Sequence, residues 1–115
     1  MATYKWTIFI ANLNPVKGSE QRGNRPVLVV SDEVFNQVMP VITVLPITSL
    51  KKGRRVYPNE ALLPKGTAGL SRDSLVLAHQ IRTLSKSRLE KPLGTIKETD
   101  LIERIENALR IYLNL

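Results

Sequence analysis

Leu101, Ile102, Ile105, Ala108, Leu109, Tyr112 and Leu113 recur at helical spacing, while the apolar segments before them are short, rich in β-branched residues and punctuated by proline and glycine. That order, strands first and one amphipathic helix last, confines the chain to a mainly β (α+β) architecture whose helix stripe must cover a sheet face or a partner. Trp6, Ile8 and Ile10 alternate with Lys5, Thr7 and Phe9, predicting a first strand that ends near Leu13. Residues 26–30 read as a fully buried strand, and Ser31 with Asp32 can cap a helical turn reaching about Gln37. Residues 41–47 form another β-branched run, with Pro46 suggesting an edge or a bulge near its end. Segments 60–63, 74–78 and 80–84 are strand-like as well. Thr95 with Glu98 spells a capping box for the terminal helix, with Thr99 as the alternative cap. The expected form is a small antiparallel barrel or curled sheet, with residues 1–115 as one domain.

Composition removes several classes of function. With no cysteine there is no disulfide, thiol nucleophile or zinc-thiolate site, and a single histidine, His79, leaves little from which to build a metal centre. No metal and no cofactor are expected. No apolar run approaches the roughly 18 residues that span a bilayer, and the N-terminal segment lacks a signal-peptide pattern, so a cytoplasmic protein without a membrane partner is expected. Seventeen Lys+Arg against ten Asp+Glu give a net charge of +7, which favours association with polyanions.

The block at residues 18–30 carries the most specific pattern in the chain. A polar, glycine-bracketed loop ends in Arg25-Pro26 and passes directly into a strand, and Pro26 biases Arg25 toward an extended backbone. If strands 26–30 and 41–47 pair antiparallel, Arg25 and Thr48 face each other on one sheet rim. Glu20 and Gln21 leave from the same rim, as does the basic turn of Lys51, Lys52, Arg54 and Arg55, so arginine, hydroxyl, carboxylate and positive fringe can converge. Each has a plainer alternative: Arg25 paired with Glu20, Thr48 as a turn hydroxyl, Glu20 solvated, the basic turn a solvated surface. His79 either fills a β-region site or stands beside Gln80 where the two could meet a ligand.

Taken in series, Leu13-Asn14-Pro15, the 18–30 block, Pro46-Ile47-Thr48-Ser49, Arg72-Asp73-Ser74, Gln80-Ile81-Arg82-Thr83-Leu84 and Arg88-Leu89 resemble the MazF/PemK/Kid toxins, small bacterial endoribonucleases of type II toxin–antitoxin modules. The resemblance covers nearly the whole chain. It departs at Trp6-Thr7, where the family often has Gly-Asp, and at Asn12, where it has an acid.

The resemblance implies a small SH3-like antiparallel β-barrel of PemK/CcdB type, with short helices and a C-terminal amphipathic helix, that forms a homodimer. It further implies metal-independent cleavage of single-stranded RNA at a short recognition sequence, leaving 2′,3′-cyclic phosphate and 5′-hydroxyl ends. Arg25 and Thr48 match the family's two central catalytic residues, and Glu20 matches a glutamate implicated in relatives. Ser19, Gln21, Lys51, Arg54, Arg55, His79 and Gln80 are the candidate RNA-binding residues. Implied partners are a MazE-like antitoxin with an acidic tail and, only together with it, operator DNA. Two other classes remain in view. One is a CcdB-like toxin that binds DNA gyrase without catalysis, against which the Arg-Pro and Ile-Thr-Ser steps argue. The other is a catalytically silent nucleic-acid-binding barrel, weakened by an aromatic content of only 5%.

Overall fold

The computed structural model describes residues 3–115. Along the chain lie β1 (Thr7–Asn12), β2 (Asn24–Val29), α1 (Glu33–Val38), β3 (Val41–Ser49), β4 (Glu60–Leu63), β5 (Ser74–Leu77), β6 (Arg82–Ser85), β7 (Leu89–Thr95) and α2 (Thr99–Leu113). The strands form one antiparallel sheet in the order β4-β5-β3-β2-β1-β7, with β6 also paired to β3. This is the curled, mainly β sheet with a terminal helix that the sequence predicts.

β3 is the hub. One flank meets β2 through Val44–Pro46, and the other meets β6 through Val41–Val44 and then β5 through Ile47–Ser49. Pro46 is therefore not at a sheet edge. It sits at the step between β6 and β5, where the ladder on that flank is already interrupted, so a proline is tolerated in mid-sheet.

Alternate residues of β1, β2 and β3 feed two cores. Ile8, Leu28, Leu45 and Ile47 join Leu63 and Val76, and α2 lays Leu101 and Ile105 over them. On the opposite face Phe9, Ala11, Leu13, Val27, Val29, Ile42 and Val44 pack with Leu84, covered by Tyr4, Val16 and Leu89. The polar alternation read into the first strand fails for this reason: Phe9 and even Thr7 are buried. That strand starts at Thr7 because Trp6 takes a φ of +66°, a left-handed backbone that glycine adopts freely. Two backbone hydrogen bonds fix it there, Trp6 N to the Val29 carbonyl and Ile96 N to the Trp6 carbonyl, both 2.8 Å.

Asp32 caps α1 as predicted, its Oδ2 accepting from Val34 N at 3.1 Å. The capping box proposed for α2 does not form. Thr95 is the last residue of β7, its hydroxyl 2.9 Å from that of Thr7, and Glu98 occupies the N-cap without a side-chain cap bond. Thr99 opens the helix instead of capping it. The segment predicted as a strand at 80–84 begins as a single 3₁₀ turn, Ala78–Gln80, and pairs only from Arg82.

The hydrogen-bonded order ends at β4 and β7. Between those ends two glycines bring the chain together. A Cβ on Gly94 would lie 2.7 Å from the Ala68 carbonyl carbon, and one on Gly69 would lie 2.5 Å from the Leu93 carbonyl oxygen. The 3₁₀ turn Thr67–Gly69 thus packs backbone to backbone on β7 and curls the sheet toward a barrel. No helix among the described residues is long and apolar enough to cross a membrane.

Candidate active site

Val27 pairs with Pro46, so one and two further steps along the antiparallel strands place Pro26 beside Ile47 and Arg25 beside Thr48. Both Arg25 and Thr48 line a cavity of about 370 Å³. Ser49, Ser71, Arg72 and Ser74 supply its other polar wall, and Ile10, Leu70 and Leu93 its apolar one. Arg25 Nε donates to the Arg22 carbonyl at 3.1 Å, which orients the guanidinium and leaves its two Nη groups without a partner among the described residues. No aspartate or glutamate lines this cavity. Preorganised cationic and hydroxyl donors without a competing carboxylate make a site for a phosphoryl anion.

The loop before Arg25 is built to hold a shape. Leu13 N donates to the Gly23 carbonyl at 3.0 Å, and Gly23, at φ +77°, donates its own N–H to Asn14 Oδ1 at 3.1 Å. Arg82 and Arg88 donate to the carbonyls of Leu13 and Asn14 at 3.2 and 2.6 Å, so these two arginines brace the base of the loop. Further out, Gln80 Oε1 accepts from Gln21 N at 2.8 Å and Gln80 Nε2 donates to the Ser19 carbonyl at 3.4 Å.

Those contacts gather Ser19, Glu20, Gln21, His79 and Gln80 around a second cavity of about 280 Å³, which Pro46, Ile81 and Arg82 complete. Glu20 therefore lies in the neighbouring cavity and not beside Arg25. Its carboxylate accepts from Lys17 N at 2.6 Å and closes its own turn. His79 Nδ1 lies 2.9 Å from Asn59 Nδ2, and the ring meets Tyr112 edge-on at 6.3 Å.

The basic turn disperses. Lys51 and Arg55 are exposed, with Arg55 6.0 Å from the Tyr57 ring centre. Arg54 instead forms a bidentate pair with Glu60, at 2.8 and 2.7 Å, and Tyr57 N donates to the same carboxylate at 3.0 Å. Arg54's hydrogen bonds hold the buried Glu60 carboxyl below its ordinary pKa against the opposing push of burial, and Glu60 in turn raises that of Arg54. Arg54 is thus a strut of the β4 start. Arg72, which sequence reasoning did not place in the site, does line the first cavity; the signal was its position in Arg72-Asp73-Ser74, beside a strand that pairs with β3 at Ser49.

An arginine and a threonine on adjoining strand ends of a curled antiparallel sheet, set in a cleft that no carboxylate lines, define the class: a small, basic, mainly β protein with a cationic cleft. The chain belongs to the PemK-like, MazF-like toxins of type II toxin–antitoxin systems, whose family model matches residues 4–113. It is 38% identical over 109 residues to the endoribonuclease MazF of Staphylococcus epidermidis, covering 94% of this chain and 88% of that one. A crystal structure of MazF from Deinococcus radiodurans superposes with a TM-score of 0.80 at 30% identity, covering 100% and 99% of the two chains. A Mycobacterial endoribonuclease in complex with its cognate antitoxin has the same fold, with a TM-score of 0.80 at 23% identity and coverage of 99% and 97%.

Proposed function

We propose that this toxin is a metal-independent endoribonuclease that cuts single-stranded RNA at a short sequence, leaving a 2′,3′-cyclic phosphate and a 5′-hydroxyl. The observation that carries the reading is the cavity shared by Arg25 and Thr48, which no carboxylate enters. Attack of the 2′-oxygen on phosphorus forms the O2′–P bond and a dianionic phosphorane, and the P–O5′ bond then breaks. Arg25 offers a planar fork of donors that stabilises the phosphorane and donates a hydrogen bond to the departing 5′-oxygen, which takes its proton from water. Thr48 donates its hydroxyl to a phosphate oxygen. Glu20 is the proposed base: it takes the 2′-hydroxyl proton once the 14–24 loop turns in over bound RNA. Ser19, Gln21, His79 and Gln80 line the place for a neighbouring base, while Lys51 and Arg55 offer charge to the backbone.

In this reading the working form is a cytoplasmic homodimer of one-domain subunits. A MazE-like antitoxin lays an acidic tail over the same groove, and the pair together bind operator DNA.

Incubating purified protein with a long RNA in EDTA and mapping the fragment ends tests the reading. Discrete cuts with cyclic-phosphate ends are expected from the wild type, with Arg25→Ala and Thr48→Ala each slower by about 10²–10³-fold. Absence of discrete cleavage by the wild type overturns it.

A further inference from the structure

β3 lies between β2 and β5 in the sheet, so the two neighbours of Thr48 approach it from opposite flanks. Arg25 comes from the β2 side. Arg72 comes from the β5 side, two residues before Ser74, whose register partner is Ser49. Both arginines line the one cavity.

The backbone that carries Arg72 is pinned on each side. Asp73 gives its carbonyl to Leu50 N at 2.9 Å and its carboxylate to Lys65 N at 2.7 Å, and the buried Ser74 hydroxyl donates to the Arg72 carbonyl at 2.9 Å. Asp73 is therefore engaged by a backbone donor, and among the described residues no carboxylate pairs with the Arg72 side chain. Two arginines share about 370 Å³ with the Thr48, Ser49, Ser71 and Ser74 hydroxyls, and nothing in the lining offsets their charge. Such a pair repels until an anion arrives, and it favours a doubly charged anion over a singly charged one. A phosphodiester carries one negative charge in the ground state; the phosphorane carries two.

We propose that Arg72 is a second catalytic arginine, which binds the non-bridging oxygen of the scissile phosphate opposite the one held by Arg25, so that the pair matches the dianionic phosphorane. The inference rests on the endoribonuclease reading and adds no new bond change: O2′–P forms, P–O5′ breaks, Glu20 takes the 2′ proton, and Arg72 transfers none. Because the second negative charge appears only at the transition state, Arg72 acts on kcat more than on KM.

The test is cleavage of a short cognate oligoribonucleotide by the full-length protein. Arg72→Ala is expected to lower kcat by about 10²–10³-fold with KM changed less than about threefold, and Arg72→Lys to recover only part. Phosphorothioate substitution at the scissile phosphate adds a readout that a structural role would not move. Arg72→Ala and Arg25→Ala should each lose sensitivity to a different one of the two diastereomers. Unchanged kcat in Arg72→Ala, a loss confined to KM, or sensitivity of both variants to the same diastereomer overturns the inference. The Arg72 side chain is exposed, and an unfolding midpoint equal to wild type controls for folding.

Inorganic phosphate, followed by NMR, supplies an arm without activity. Weakened phosphate binding in both variants supports the paired site even if the wild type cuts no RNA, in which case only the endoribonuclease reading fails. Wild-type phosphate affinity in Arg72→Ala overturns the paired site itself.

Discussion

Gly94→Ala probes how the curled sheet is held closed. The added methyl would meet the Ala68 backbone at 2.7 Å (C), 2.8 Å (O) and 3.0 Å (Cα), against an ordinary contact limit of 3.4 Å, so one segment must move by about 0.7 Å. Neither partner is a side chain that can turn away. Overpacking of this kind costs about 1–3 kcal/mol, and the lower entropy of the unfolded alanine chain returns about 0.5 kcal/mol. A net loss of about 0.5–2.5 kcal/mol corresponds to about 2–10 °C in melting temperature for a chain of this size. The displacement also has a functional direction, since Gly69, Leu70 and Leu93 at this contact wall the Arg25–Thr48 cavity. Urea unfolding followed by fluorescence of Trp6, the sole tryptophan and packed on the α2-side core, measures the stability change. RNA cleavage well below the melting temperature measures the change in the cavity. A midpoint within about 0.3 kcal/mol of wild type together with unchanged kcat/KM would refute the idea that this backbone contact sets the cavity wall.

Three further outcomes follow from named contacts. Glu33 accepts from Lys5 N at 2.9 Å, Tyr4 N at 3.1 Å and Gln37 Nε2 at 2.7 Å, and although burial pushes its carboxyl up, these donors bring it down from 4.5 to about 2. A depressed carboxylate stabilises the fold above its ordinary pKa and loses that contribution as pH falls. Glu33→Gln should therefore cost about 1–2 kcal/mol at pH near 7, allowing for partial exposure, and denaturation curves of the two proteins should converge as pH drops from about 5 to about 2; a gap independent of pH speaks against the account. Arg54→Ala strands the buried Glu60 carboxylate and should lose about 2–3 kcal/mol at neutral pH, with Arg54→Ala/Glu60→Leu recovering most of it. As a strut, Arg54 should leave the salt dependence of RNA binding unchanged, whereas a slope flattened by about one would mark it as a phosphate contact. Gln80→Ala removes the acceptor of Gln21 N, worth about 1 kcal/mol, so amide exchange at Gln21 should quicken about fivefold while Gly23, held by Asn14, keeps its rate.

The elements legible in the chain are those whose order comes from near neighbours. β2, β3, β4 and β5 are runs of aliphatic residues with little else to become, and α2 carries its stripe in plain view. β7 was not legible. Pro92, Gly94 and the Glu90-Lys91 pair break every local strand signal, and only an end position beside β1, with two register irregularities, accommodates them. The Thr95–Glu98 cap reads well locally and fails because Ile96 N is drawn to the Trp6 carbonyl, keeping the chain extended past Thr95. In the site, Arg25 and Thr48 come together through a strand pairing that could be inferred. Arg72 arrives through the other flank of β3, its only signal being its place just before the strand that opens at Ser74, and Arg54 is captured by Glu60 from a strand that follows it, which leaves no mark in sequence spacing.

The same geometry divides the proposed chemistry between rigid and adjustable parts. The groups that would meet the phosphate, Arg25 and Thr48 near strand ends and Arg72 two residues before β5, are held by the sheet and the hydrogen bonds beside it, in a cavity that no carboxylate lines. The proposed base, Glu20, stands one cavity away on a loop whose outer part is tied to the sheet by Gln80. A phosphate can therefore be gripped before the 2′-hydroxyl has anything to take its proton. Catalysis on this scheme waits for the loop to exchange its Gln80 contacts for contacts with RNA, so the sequence being bound, by settling whether that exchange is favourable, would select at the chemical step as well as at binding. Gln80→Ala separates the two. If the tie to Gln80 restrains the loop in this way, cutting it should raise cleavage of poorly matched RNA relative to matched RNA. Equal loss on both would mean instead that Gln80 serves only to hold the substrate.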